Sequence, residues 1–247
     1  MKSVLIKRYS LSLVTAALLA VSCTTIKDSS TADSVEKINS AKKILIIKPK
    51  IKLYELSVGG VNTEKEDWTN LANANAVNVL RDKLISMGKE VIVIDSDDAE
   101  YKADTKDLLG IYETVQNTVR ENVLGNDYSK FPEKVKNFKY WSGDTKALLE
   151  KFNADYVLAI YGFGQIESSG RQATRVAGAV LGVLTGVTVI QSGGYSVINM
   201  GALDKDGMLI WFGQNNPEES IDLRETKDLK NITDKMFEKI TKPKKKK

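Results

Sequence analysis

Cys23 is the single thiol in 247 residues, and the chain contains no histidine. A deprotonated thiol is a strong nucleophile, so Cys23 is the first candidate for covalent chemistry. The absence of histidine excludes Ser-His-Asp and Cys-His relays and every His-containing metal site. A lone cysteine also excludes an intramolecular disulfide. The other candidates are acidic. Asp95, Asp97 and Asp98 follow the apolar run "KEVIVID". In open α/β sheets ligands bind beyond the carboxyl ends of strands, so this loop is a candidate Mg²⁺ or Ca²⁺ site of a metal-dependent enzyme. It lacks the alternating spacing of a calcium loop, and the simpler reading is that these aspartates cap turns. "GFGQIESSG" carries Gly162 and Gly164 without a third glycine in phase, so it fails as a dinucleotide fingerprint. No G-K-[ST] occurs, and Ser168 and Ser169 have no lysine in an S-x-x-K arrangement. No catalytic residue, resident metal or cofactor is expected.

The surroundings of Cys23 point to modification rather than catalysis. Lys2, Lys7 and Arg8 precede "LSLVTAALLAV", and Ser22 and Cys23 follow. A charged start, a short apolar run and a small residue at the cut mark an export signal. That run is about half the ~20 residues that span a bilayer. "LAVSC" resembles a bacterial lipobox, with Ala20 where leucine is commonest. The resemblance implies diacylglycerol on the Cys23 sulfur, cleavage between Ser22 and Cys23, and usually acylation of the new amino group. Acyl chains hold a protein to a membrane because each buried methylene contributes about 0.8 kcal/mol. Thr24 follows the cysteine, with no aspartate to signal inner-membrane retention. By resemblance to enterobacterial sorting, the expected address is the outer membrane.

Charge argues against a nucleic-acid partner. The net charge is +4, but Lys2, Lys7 and Arg8 supply three positive charges. Lys242, Lys244, Lys245, Lys246 and Lys247 supply five more, so the rest of the chain is net −4. A nucleic-acid-binding domain needs a basic face. The hydrophobic content of 42% is enough for a sizeable core.

The expected organisation is a signal over 1–22, a polar flexible tether over 23–41, one α/β domain over 42–241 and a basic disordered tail over 242–247. "KILIIK" before Pro49, "KEVIVID" and "ADYVLAIYGFG" read as strands, the last of them central because its apolar run is nearly continuous. Asp67–Met87 reads as a helix, with Trp68, Ala72, Ala76, Leu80 and Leu84 on one stripe and Gly88 as its stop. Asp104–Leu124, "SGDTKALLEKF" and Arg224–Ile240 are further helices. "YSVINMGALDKDGMLIWFGQ" is a hairpin turning at Asp206-Gly207. The order implies α/β with a mixed sheet flanked by helices.

Val176–Ile190 is apolar throughout but, at fifteen residues, too short to span a membrane as a helix. It divides near Thr185 or Gly186 into a helix and a strand-like "GVTVI". Gly170, Thr174, Gly178, Gly182 and Gly186 recur every four residues, a ridge on which a second helix packs closely. The simpler expectation is a helix pressed against the sheet, its glycines making room. The alternative is a contact helix for oligomerisation, a partner or lipid.

"PKIKLYELSVGGVNTEKEDWTNLA" and "ADYVLAIYGFGQIESSGRQATRVAGAVLGV" resemble a group of uncharacterised bacterial envelope lipoproteins with a similar "YEL-x-x-GG" turn and "DW" helix start. The element order from Ala41 to Ile240 is similar to that of curli-secretion and penicillin-binding-protein-activator lipoproteins. Asp204, Gly207 and Trp211 match the hairpin of that group. The resemblance implies an assembly factor, pore subunit or enzyme activator, with no catalytic role for those three residues. The combined expectation is a lipid-anchored, non-enzymatic envelope protein. Its partners are the membrane, through the lipid, and an envelope protein or a second copy of itself.

Overall fold

The stretch from Lys43 to Leu56 alternates apolar side chains between two directions and is interrupted once, at Pro49. Proline donates no ladder hydrogen bond and breaks a strand. In the computed structural model, which describes residues 24–185, 194–216 and 221–242, the break separates β2 (Lys43–Ile47) from β3 (Lys50–Leu56). Both run parallel to one long strand, β6 (Tyr156–Glu167), β2 along its first half and β3 along its second. The other strands are β1 (Ile26–Ser30), β4 (Asn62–Glu64), β5 (Glu90–Ile94), β7 (Tyr195–Leu203) and β8 (Leu209–Asn215). The sheet runs β1-β8-β7-β6-β2-β5, with β3 and β4 continuing beyond the end of β2. It is mixed: β2 lies parallel to β5 and β6, while β6, β7, β8 and β1 pair antiparallel in turn.

Helices cover both faces of this single domain. Ile44 and Ile46 of β2 join one core with α1 (Ser34–Ser40), α2 (Glu66–Ser86) and α7 (Thr226–Thr241). Leu45 and Ile47 point the other way, into a second core with α3 (Lys102–Asn122) and α5 (Lys146–Phe152). This is the two-residue period of a strand buried on both sides. Two further helices complete the set among the described residues: α4 (Pro132–Lys136), in a stretch that reads as irregular in sequence, and α6 (Ser169–Thr185).

The open edge of β3 is closed by side chains. Asn73 Oδ1 accepts the Ile51 N–H at 2.9 Å, and Asn73 Nδ2 donates to the Ile51 carbonyl at 2.9 Å. Thr69 Oγ1 accepts the Leu53 N–H at 3.0 Å. The α2 helix therefore supplies at Ile51 and Leu53 what a neighbouring strand would.

The fold begins earlier than the sequence implies. Residues 24–41 form β1 and α1 instead of a flexible tether. Ile26 and Ile38 are buried in the first core, and β1 pairs antiparallel with β8 from Ile26↔Asn215 to Ser30↔Trp211. The polar composition hides this because β1 is an edge strand, needing only alternate residues inside. Thr24 is fixed as well: its hydroxyl accepts from Asn231 Nδ2 at 2.8 Å and its carbonyl from Lys235 Nζ at 2.7 Å.

Candidate functional site

The carbonyl end of β6 is where the layers separate. Burial is complete from Tyr156 to Ile160 and becomes partial from Tyr161 onward. Register then assembles three rows on one face across β3, β6 and β7. The rows are Lys50–Tyr161–Asn199, Lys52–Phe163–Val197 and Tyr54–Gln165–Tyr195. Alternation along each strand puts all nine side chains on the same side. A helical stripe on α3, Glu113, Gln116, Asn117 and Arg120, stands as a wall beside them. All of these except Tyr54 and Gln165 bound an open cleft of about 580 Å³.

Gly162 and Gly164 have their role on the opposite face. A Cβ at Gly162 would lie 2.9 Å from Ile51 Cγ1, and one at Gly164 would lie 2.6 Å from Leu53 Cδ2. The "GFG" run lets β3 side chains cross β6 closely, leaving Phe163 as the group that faces the cleft.

The cleft is held rigid by a chain of hydrogen bonds. The Tyr112 hydroxyl donates to Asn199 Oδ1 at 3.4 Å, Asn199 Nδ2 to Gln116 Oε1 at 2.8 Å, and Gln116 Nε2 to Asn117 Oδ1 at 3.1 Å. Arg120 Nη1 reaches the same Asn117 oxygen at 3.4 Å. The Tyr161 hydroxyl donates to the Leu109 carbonyl at 3.1 Å. Burial, and secondarily the Glu113 carboxylate, push the Tyr161 pKa well above the ordinary phenol range, so this proton stays on. Phe163 forms tilted contacts with Tyr54 and Tyr195, at centroid separations of 5.2 and 5.6 Å. Among the described residues, Lys50 and Arg120 have no ion-pair partner, and the buried Arg120 Nε has no hydrogen-bond partner.

The residues singled out in the sequence lie elsewhere. Ser22 and Cys23 fall outside the described residues, as do Gly186, the "GVTVI" stretch, residues 1–22 and most of the basic tail. Asp95, Asp97 and Asp98 form turns. Asp95 Oδ1 accepts the Asp97 N–H at 3.0 Å, Asp98 Oδ1 accepts the Glu100 N–H at 3.0 Å, and Lys48 Nζ sits 2.6 Å from Asp95 Oδ2. Burial alone would raise the Asp95 pKa, but Lys48, the Asp97 N–H and Lys50 together outweigh it and the net shift is downward. Among the described residues no three His, Cys, Asp or Glu side chains converge as a metal site.

Asp206-Gly207 turns the β7–β8 hairpin, with Gly207 at φ +72° and Asp204 Oδ1 accepting the Asp206 and Met208 N–H groups. Trp211 is core, Trp68 is half-buried under the Arg224 guanidinium at 4.3 Å, and Trp141 is 53% exposed.

As far as its side chains are described, to Gly178, the glycine-rich helix is not pressed against the sheet. Gly170, at the base of α6, lies against Val58, where a Cβ would come within 3.2 Å. Beyond that turn, Gln172 to Ala177 are exposed, Val176 at 62%, and Gly178 faces open space. Thr174 spends its hydroxyl on the Gly170 carbonyl at 2.9 Å. Gly182 lies in the last turn. Among the described residues no strand or helix packs extensively on α6. Its base is fixed by charge: the buried Glu167 carboxylate lies 3.4 Å from Arg171 Nε and 3.1 Å from Arg175 Nη2, and Arg171 Nη1 donates to the Ser57 carbonyl at 3.3 Å. No helix among the described residues is long and apolar enough to cross a membrane.

No protein-family model and no curated protein matches the sequence. Among solved structures, the chain is similar to the PelC dodecamer of Paraburkholderia phytofirmans at 13% identity and a TM-score of 0.33. The match covers 85% of this chain and 94% of that one. A point variant of the same PelC matches at 12% identity and a TM-score of 0.32, over 85% and 98% of the two chains. Both likenesses are distant.

Proposed function

We propose that this chain is a lipid-anchored, non-enzymatic envelope factor that assembles with further copies of itself through α6. The observation that carries the docking half of the proposal is the bare helix. From Gln172 to Ala177, α6 exposes Val176 and two alanines while its base is locked to the domain by the Glu167 ion pairs. Exposed apolar surface of this kind marks an interaction site. Beyond Gly170, which packs on Val58, the small residues Thr174, Gly178 and Gly182 offer a shallow track along which a second α6 approaches closely. The anchoring half rests on the lipobox resemblance at Ser22–Cys23, and the address is the outer membrane, facing the periplasm.

Two measurements test the two halves separately. Cells fed a clickable palmitate label the wild-type chain and leave Cys23→Ala unlabelled; equal labelling of both, or none of either, removes the anchor. Light scattering on the purified chain in detergent gives an oligomer for wild type and a monomer for Val176→Asp. Val176 is exposed in the single chain, so the variant folds and the mass reports assembly alone. A monomeric wild type at all concentrations overturns the α6 interface.

A further inference from the structure

We propose that the cleft between α3 and the β3–β6–β7 surface binds a carboxylated saccharide, a uronate unit within an oligosaccharide. The inference goes beyond assembly and does not depend on α6. Three features select this chemistry.

The first is charge. Lys50, Lys52 and Arg120 bring three cations to the cleft against the single carboxylate of Glu113. Lys52 reaches only Glu64, at 3.8 Å and in solvent, while Lys50 and Arg120 have no ion-pair partner among the described residues. The Arg120 guanidinium lines the cleft and spends Nη1 on Asn117 at 3.4 Å, with no carboxylate to neutralise it among the described residues, so it suits an anionic oxygen.

The second is the kind of anion. The wall is the C-terminal half of α3, whose dipole is negative at that end. The strand backbones of the floor are used in the sheet, so they offer no nest of N–H groups. A compact, doubly charged phosphate is poorly served there. A single carboxylate, with half the charge, is penalised less by that dipole and is met by Lys50, Lys52 and Arg120.

The third is the lining. Phe163 and Tyr195, in ring contact at 5.6 Å, give an apolar strip on which the C–H side of a sugar ring rests. Beside it, Gln116, Asn117 and Asn199 are oriented by their own hydrogen bonds. The Asn117 Nδ2 group is left to meet hydroxyls. The volume of about 580 Å³ is within the range of small-ligand sites.

Calorimetric titration of the purified full chain with trigalacturonate tests the proposal, with the neutral galactose trimer and inorganic phosphate as controls. The acidic trimer is expected to bind, the neutral trimer at least about tenfold more weakly, and phosphate not to compete. Arg120→Gln loses about tenfold in affinity, the order expected for one charged hydrogen bond. Asn117→Leu, an exposed position that leaves the fold intact, also weakens binding. Absence of binding by the wild type, equal binding of the neutral trimer, displacement by phosphate, or full affinity in both variants overturns the proposal.

Discussion

Arg175 Nη2 lies 3.1 Å from Glu167 Oε2, and Arg171 Nε lies 3.4 Å from the other oxygen of the same carboxylate. One buried acid at the end of β6 therefore sets the direction in which α6 leaves the domain. Removing one partner of a buried pair costs about 3 kcal/mol, because the remaining charges lose their compensation. Glu167→Ala is expected to lower unfolding stability by that order and to speed tryptic cleavage at Arg171 and Arg175. Chemical denaturation and timed digestion measure the two effects, and unchanged cleavage would mean that α6 is held by something else.

Ile26 is 6% exposed and packs in the core shared by α1, α2 and α7. Ile26→Asp places an unpaired carboxyl there, and a loss of about 3 kcal/mol follows. A tether would tolerate the change without loss. A denaturation curve for the variant separates the two pictures directly.

Asp222 is doubly engaged by Arg224, whose Nε and Nη2 lie 2.9 and 2.7 Å from its two oxygens. Burial raises the Asp222 pKa, but the hydrogen bonds from Arg224 more than reverse it, and the folded value lies below the ordinary one. The stabilisation is therefore complete above the unfolded pKa of about 3.9 and is lost as pH falls below that through the folded value. Asp222→Asn is expected to be less stable than wild type at neutral pH, with the gap closing as pH falls below about 4. Urea midpoints across that window measure it; a constant gap would dissociate Asp222 from the acid limb.

Most of the secondary structure follows from local pattern. The helices α2, α3 and α7 and the hairpin at Asp206-Gly207 have a strong period or a strong turn dipeptide, and they lie within a few residues of expectation. The central place of β6 follows from its apolar run. What local pattern could not carry is pairing. Phe163, Val197 and Lys52 are far apart in the chain and become neighbours only through strand register. One signal was available: Gln116 and Arg120 continue at steps of four the face of α3 that holds Leu108 and Tyr112, and polar residues on an inward face announce an opening. The α6 helix failed in the other direction. Its composition looks like core, yet its side chains from Gln172 to Ala177 are exposed.

The clamp on Thr24 by Asn231 and Lys235 sets the geometry of any anchor at Cys23. One residue spans at most about 3.5 Å, so a lipid on that sulfur leaves almost no leash. Were Cys23 to carry the proposed lipid, the domain would sit flush on the bilayer with one fixed side downward, and its reach into the surrounding space would be the length of its own body.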